Sequence, residues 1–251
     1  NRLVQAQRLV RDVNEGKRVL RADDETTLLR VAEAQWTILE QHIIARSLGR
    51  LGRTLPAALL AKLEMMLSGA GTEDEDRNPL ARNTQFELYT RATLIMGDVP
   101  ARIAEPDLRA DYLGTEIGVA AKRVRSLRQL PKRTKEAVDQ IRASALPGIV
   151  ALNVDVLLKV GAADVINDEP LDERLLAIKQ VDNTLAEQDC IVGSLVFARD
   201  TVWRFDGEKP AVGIATTHRF AIYPRTQQQR EQGEEFWRRA RVRIDTRLEN
   251  L

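Results

Sequence analysis

An aspartate that opens one extended run and a lysine that closes the next form the chain's most reactive pairing. Asp107 follows Pro106 at the head of residues 107–112, Lys122 ends residues 117–122, and Leu113-Gly114-Thr115 between them has the composition of a hairpin turn. With that turn centred on Gly114, residue 107 pairs approximately with residue 121, so the Asp107 carboxylate lies beside the strand end that carries Lys122. Period-two alternation puts Ala120 and Lys122 on one face and leaves the Ala121 carbonyl between them as a neutral oxygen donor. Glu87, on an earlier helical segment, is the remaining carboxylate. Hard oxygen donors beside a cation suit a divalent metal that activates water against a phosphodiester. In that chemistry Asp107, Glu87 and the Ala121 carbonyl hold Mg²⁺ or Mn²⁺, and Lys122 orients or activates the water.

Each of these residues also has an ordinary structural reading. An aspartate after proline caps or solvates a turn, and a lysine at the end of an apolar strand snorkels to water. Glu87, flanked by Phe86, Leu88 and Tyr89, equally fits a surface glutamate. Asp111 lies farther from Lys122 and is the weaker alternative to Asp107, while Glu116 sits beside the turn and reads as solvated. Residues 122–135 then carry seven basic side chains and no acidic one. Because this run begins at the candidate site, Arg123, Arg125, Arg128, Lys132 and Arg133 are placed to meet phosphates flanking a scissile bond, although charge runs are commonly solvated faces. His42 and His218 are too isolated for a zinc site. The serines, Cys190 and the histidines form no nucleophilic arrangement, and no Gly-rich phosphate loop is present.

The elements that must position these groups are legible from periodicity. Residues 1–69 read as three helices, from the helical spacing of Leu3, Val4, Leu9 and Val10 and again of Leu28, Val31, Trp36, Leu39 and Ile43. Asp23 or Asp24 is the N-cap candidate for the second, Thr54-Leu55-Pro56 opens the third, and Gly69 or Gly71 stops it. The acidic run at residues 69–76 reads as a solvated boundary loop. Beyond it come a helix at 84–96, strands at 99–104, 107–112 and 117–122, a helix at 131–144 and an apolar strand at 148–154. A helix at 171–187, strands at 190–205 and 211–223, and a charged helix at 226–251 complete an α/β chain.

At these residues the sequence resembles the PD-(D/E)XK, or restriction-endonuclease-like, superfamily. The matching pieces are Asn83-Thr84-Gln85-Phe86-Glu87-Leu88 on a helix, Glu105-Pro106-Asp107-Leu108 at a strand start, and Gly118-Val119-Ala120-Ala121-Lys122-Arg123 on the next strand. Asp139-Gln140-Ile141-Arg142-Ala143-Ser144 with Gly148-Ile149-Val150-Ala151-Leu152 look like the helix and strand that complete the family's core. The resemblance implies a restriction-endonuclease-like mixed sheet flanked by helices, and Mg²⁺- or Mn²⁺-dependent hydrolysis of DNA. It implies Glu87, Asp107 and Lys122 as catalytic residues, Glu87, Asp107 and Ala121 as metal ligands, and Gln140 near the site. The chain departs from the family at Ala120, where an acidic residue usually stands two before the lysine. Family members relocate such a carboxylate, so Glu87 with Asp107 would hold one metal ion. Restriction, defence and repair all use this fold, and the fold alone does not decide among them.

Composition sets the remaining expectations. The charges nearly cancel at +1, so no global field selects a partner. Cys190, the single cysteine, sits in an apolar run and reads as a small buried thiol, consistent with a reducing, cytoplasmic setting. No apolar stretch reaches the roughly 20 residues that span a bilayer, and the first residues lack a signal-peptide pattern. The expected organisation is a helical region at 1–69 and a nuclease-like domain at 78–251, with DNA as partner and no membrane. The alternative is a catalytically decayed nuclease fold that binds nucleic acid or serves as an oligomeric interaction module. A homo-oligomer would use the apolar stripe Phe236, Trp237, Val242, Ile244 and Leu248 of the last helix.

Overall fold

The computed structural model describes residues 2–18, 25–52, 54–68, 79–155, 171–206 and 209–248. The acidic run at 69–76 and the cap candidates Asp23 and Asp24 lie outside these residues.

Two left-handed backbone positions define the central hairpin. Leu113 and Gly114 have φ of 52° and 84°, the positive pair that a two-residue I′ turn requires. The Asp111 carboxylate accepts the Gly114 N–H at 2.7 Å across that turn. It joins β2 (Asp107–Tyr112) to β3 (Thr115–Arg123) in an antiparallel pair running from Tyr112↔Thr115 to Leu108↔Val119. Continued by one residue, that register sets Asp107 opposite Ala120, one position short of the pairing expected from the sequence. The turn centre lies between Leu113 and Gly114 instead of on Gly114, and the change puts Asp107 on the same sheet face as Ala120 and Lys122.

The sheet has six strands in the order β1-β2-β3-β4-β5-β6. β1 (Ala101–Ala104) pairs antiparallel with β2, and β4 (Gly148–Asn153) runs parallel to β3. β5 (Ile191–Asp206) runs parallel to β4 and turns back into β6 (Lys209–Ile222). The mixed α/β sheet expected from the sequence is present. Gly148 makes the β3–β4 approach feasible, because a Cβ there would stand 2.7 Å from the Gly118 carbonyl and 2.7 Å from Ile141 Cγ2.

Helices cover both faces. On one side lie α4 (Leu80–Met96), the N-terminal helices α2 (Glu25–Leu48) and α3 (Ala57–Leu67), and α7 (Gln227–Leu248). There Trp36, Ile44, Leu59, Met66, Phe86, Leu88, Leu108, Val119, Ile149 and Phe197 share one core. On the other side α5 (Leu130–Ala143) and α6 (Leu171–Ala186) bury Leu130, Val138, Ile141, Val181 and Leu185 against Ala120, Val150 and Val196. α1 (Arg2–Asn14) packs on α2. The N-terminal helices therefore contribute directly to the core beneath the sheet.

Helix α4 is enclosed by α2, α3, α7 and the sheet. Between Ala81 and Met96 all side chains are buried except those of Asn83 and Glu87. This enclosure accounts for its weak amphipathicity, and it makes the partial opening at Glu87 informative. Phe236 is buried and packs 4.9 Å from the Tyr112 ring, while Trp237 stacks on Phe220 at 5.2 Å. These two residues of the proposed oligomer stripe are thus used inside the chain; the side chains of Val242, Ile244 and Leu248 lie outside the described residues. Cys190 is half-buried at the edge of the second core, more open than its apolar run suggests, because it precedes β5 in a turn. No helix among the described residues is long and apolar enough to cross a membrane.

Candidate active site

The hairpin register brings Asp107 and Lys122 together. Lys122 Nζ lies 2.9 Å from Asp107 Oδ2, and the same oxygen accepts the Ala121 N–H at 2.8 Å. Both side chains are largely shielded, with 14% of Lys122 and 12% of Asp107 exposed. A charge pair at this depth is held by its surroundings, unlike a surface ion pair that solvent screens.

Strand geometry also orients the Ala121 carbonyl. The Gly118 and Val124 N–H groups bond toward the β4 side, at Pro147 and Asn153. Even-numbered residues of β3 therefore address β4, and odd-numbered ones address β2. Since N–H and C=O of one strand residue point the same way, the Ala121 carbonyl emerges on the Asp107 side. It does so beyond the last β2 pairing, Leu108↔Val119.

Glu87 approaches from the opposite layer. Its side chain is 14% exposed and pairs with Lys62 of α3. Burial raises the Glu87 carboxyl above its ordinary range, and the Asp107 charge adds to that rise, while Lys62 and Lys122 oppose it. The Glu87–Lys62 pair and the Asp107–Lys122 pair are two separate ion pairs, one joining α4 to α3 and one within the hairpin. The surface-glutamate reading of Glu87 does not fit its burial. Lys62 is not legible in the sequence as a site residue: it lies 25 residues before Glu87, and only the packing of α3 on α4 joins them.

The residue types, not a shared geometry, are those a small hard cation takes. Two carboxylates and a carbonyl match Mg²⁺, which usually takes one or two carboxylates and completes its shell with water and phosphate oxygens. Two lysine ammonium groups already supply positive charge at these carboxylates. Among the described residues no group of three or more His, Cys, Asp or Glu side chains converges as a metal site. The Ala120 side chain is fully buried against α5, and no carboxylate stands there.

The basic run divides by environment. Arg123 is an odd-numbered β3 residue, faces the α4 layer and is only 8% exposed, so its expected place on a phosphate-binding rim is not the one it occupies. Arg125 and Arg128 are exposed and have no ion-pair partner among the described residues. Lys132 and Arg133 approach Glu136 at 4.0 and 2.7 Å, and Lys135 meets Asp139 at 2.9 Å. Acidic residues one helical turn further along α5 thus compensate much of the run.

Gln140 lies on α5 one turn before Ser144, whose Oγ stands 3.4 Å from the point a Gly118 Cβ would occupy. The Gln140 Oε1 is buried without a hydrogen-bond partner. The other acidic residues of the hairpin do structural work. Asp111 caps the turn, and exposed Glu116 bridges Arg102 at 2.7 Å and Arg109 at 3.1 Å, with the Arg102 hydrogen bond holding its carboxyl below the ordinary range. His42 is exposed, and the His218 side chain lies outside the described residues.

A separate polar cluster lies against the second core. Ser194 Oγ and Tyr223 OH each approach Asp182 Oδ1, at 3.0 and 2.8 Å, and Arg219 reaches Asp182 Oδ2 at 2.6 Å. The two hydroxyls are also 2.8 Å apart, so two hydroxyl hydrogens are shared among three short oxygen–oxygen approaches. Burial, reinforced by the Asp182 carboxylate, pushes the Tyr223 hydroxyl up. These residues tie α6 to β5 and to the segment after β6, away from the Asp107 cleft.

No family model, no curated protein and no solved structure matches the chain.

Proposed function

We propose that the protein is a metal-dependent nuclease that hydrolyses DNA phosphodiester bonds, built on a restriction-endonuclease-like arrangement of α4, the β1-β2-β3 meander, α5 and β4. One observation carries this reading. The Asp107 carboxylate at the start of β2 is held by the Lys122 ammonium and by the Ala121 N–H, in the pairing that the resemblance implies. A bound Mg²⁺ or Mn²⁺ would supply a Lewis acid and a water of lowered pKa. Glu87, Asp107 and the Ala121 carbonyl are the groups to hold it. Lys122, already shielded beside Asp107, stabilises negative charge that develops on the phosphate or on the attacking oxygen. Arg125 and Arg128 are exposed just beyond the end of β3, where they meet flanking phosphates. Gln140 offers an unsatisfied buried carbonyl oxygen on the sheet side of α5.

The test is incubation of the purified chain with end-labelled duplex, single-stranded and branched DNA, with Mg²⁺, with Mn²⁺ and with chelator. Metal-dependent cutting that disappears in Asp107→Ala supports the proposal. A specific observation favours one other reading. Both carboxylates are already neutralised by lysines, and Ala120 replaces the third acidic group. DNA binding without cutting on any substrate would assign the chain to a decayed nuclease fold that binds nucleic acid.

A further inference from the structure

The two edges of the sheet are built differently. At one edge β1 has only four residues, Arg102 among them, the short and charged form that keeps an edge from pairing with another chain. At the other, β6 has 14 residues, and among the described residues no strand pairs with its outer side. From Pro210 to His218 it carries no Asp, Glu, Lys or Arg, in a chain of which 30% is charged.

The register shows which main-chain groups face outward. The Tyr223 N–H donates to the Val192 carbonyl, and the β5–β6 pairing runs without a shift from Gly193↔Ile222 to Asp206↔Lys209. Odd-numbered residues of β6 therefore direct their N–H and C=O groups at β5, and even-numbered ones direct theirs away from the sheet. The outward donors are the N–H groups of Val212, Ile214, Thr216, His218, Phe220 and Ile222. β4 supports β5 only as far as Asn153↔Phe197. Beyond that point β5 and β6 continue, from Ala198↔Thr217 onward, as a two-stranded ribbon about 30 Å long. Helix α2 approaches β6, yet two strands without a third beside them are only marginally stable.

A row of outward donors and acceptors is complemented by another strand, and the strand that fits is β6 itself. Antiparallel pairing about a twofold axis at Thr216 sets Val212 opposite Phe220, Ile214 opposite His218, and Thr216 opposite its own copy. All of these residues have outward N–H groups, so each pair exchanges two hydrogen bonds. Aromatic with β-branched and threonine with threonine are favourable cross-strand pairs. Arg219 then faces Gly213 and Lys209 faces Tyr223, so like charges do not meet, whereas an axis at Ile214 would set Lys209 against Arg219. The uncharged stretch from Pro210 to His218 offers nothing to neutralise a phosphate backbone.

Independently of the nuclease reading, we propose that the outer edge of β6 is a homodimerisation surface, on which β6 of a second copy pairs antiparallel and joins the two six-stranded sheets into one. The contact is isologous, each copy offering the same donors and acceptors to the other.

Two measurements on the full chain test this. Sedimentation velocity between about 1 and about 100 μM should show the mass rising from one copy to two. Thr216→Pro removes only an outward N–H, which an edge strand tolerates, and Thr216→Lys sets two like charges against each other across the axis. Both variants should stay monomeric at the highest concentration, with circular dichroism like wild type. A wild type that is monomeric throughout would overturn the proposal, as would a dimer that persists in both folded variants. The second measurement is amide hydrogen exchange of wild type alone, read residue by residue at low and high concentration. The Val212, Ile214, Thr216 and His218 amides should slow about tenfold where the chain stands about tenfold above its dissociation constant. Exchange at these amides that ignores concentration would sink the proposal even where the variants fail to fold. Protection that appears only on adding a DNA duplex would instead assign the ribbon to nucleic acid and overturn it as well.

Discussion

The Asp107 Oδ2 atom accepts two hydrogen bonds from a single stretch of β3, one from the Lys122 ammonium at 2.9 Å and one from the Ala121 N–H at 2.8 Å. Its second oxygen is not used by either donor and remains available to a cation. Asp107→Ala and Lys122→Ala should each lower cleavage by about 10²–10³-fold, the usual worth of one well-placed charged or hydrogen-bonding group in a transition state. Single-turnover rates with saturating Mn²⁺ check this, with circular dichroism to confirm folding. Retention of more than about a tenth of the rate in either variant would remove these residues from the chemistry.

Ala120 bears on whether the missing carboxylate can be restored. Its side chain is fully buried in the core beneath α5. Ala120→Glu must place a longer, charged side chain in that space, so overpacking and carboxylate burial together should cost roughly 2–4 kcal/mol. Urea unfolding measures the loss. A stable Ala120→Glu variant that also rescues Glu87→Ala would show that the α5 layer gives way more readily than its packing implies.

Much of this arrangement is legible in the sequence alone. Alternation and turn composition locate β2, β3 and β4, because those signals are local. The β2–β3 pairing differs by one residue from the expected register, since Leu113-Gly114-Thr115 does not reveal whether two or three residues form the turn; the positive φ values of Leu113 and Gly114 decide it. Arg123 reads as part of a continuous basic face, yet its odd position in β3 turns it into the α4 layer. Lys62 and Arg219 are invisible in sequence as partners of Glu87 and Asp182 because each pairing depends on packing between distant segments.

The divided basic run makes a selective prediction. Replacing Arg125 and Arg128 with alanine should weaken duplex binding and reduce the logarithmic salt slope by about 0.9 for each phosphate that is no longer neutralised. Arg123→Ala should instead lower stability and leave the slope unchanged, because its side chain is buried. Binding isotherms at several salt concentrations distinguish the two. Equal slopes for wild type and the Arg125/Arg128 variant would mark those arginines as solvated.

The Asp182 cluster predicts a purely structural effect. Asp182→Ala leaves Ser194, Tyr223 and Arg219 without their common acceptor. Stranding buried polar groups costs about 1–3 kcal/mol, and urea unfolding should show a loss of that order. Cleavage measured well below the unfolding midpoint should stay at the wild-type rate, because no Asp182 partner reaches the Asp107 cleft.

The acid behaviour of Glu87 links stability and metal binding with opposite signs. Burial, followed by the Asp107 charge, raises its carboxyl above the ordinary 4.5, against the pull of Lys62 and Lys122. A carboxyl whose folded pKa is raised stabilises the fold in its protonated form. That contribution is fully present below the unfolded pKa and is lost as pH rises through the folded value. Glutamine mimics the protonated state, so wild type should lose stability relative to Glu87→Gln as pH climbs through and above the ordinary carboxyl range, measured by urea unfolding at each pH. Wild-type Mn²⁺ affinity should rise over the same window, because the ionised carboxylate is the ligand, while Glu87→Gln should lack that rise. A stability difference that stays flat across the window would mean that Lys62 holds Glu87 ionised throughout.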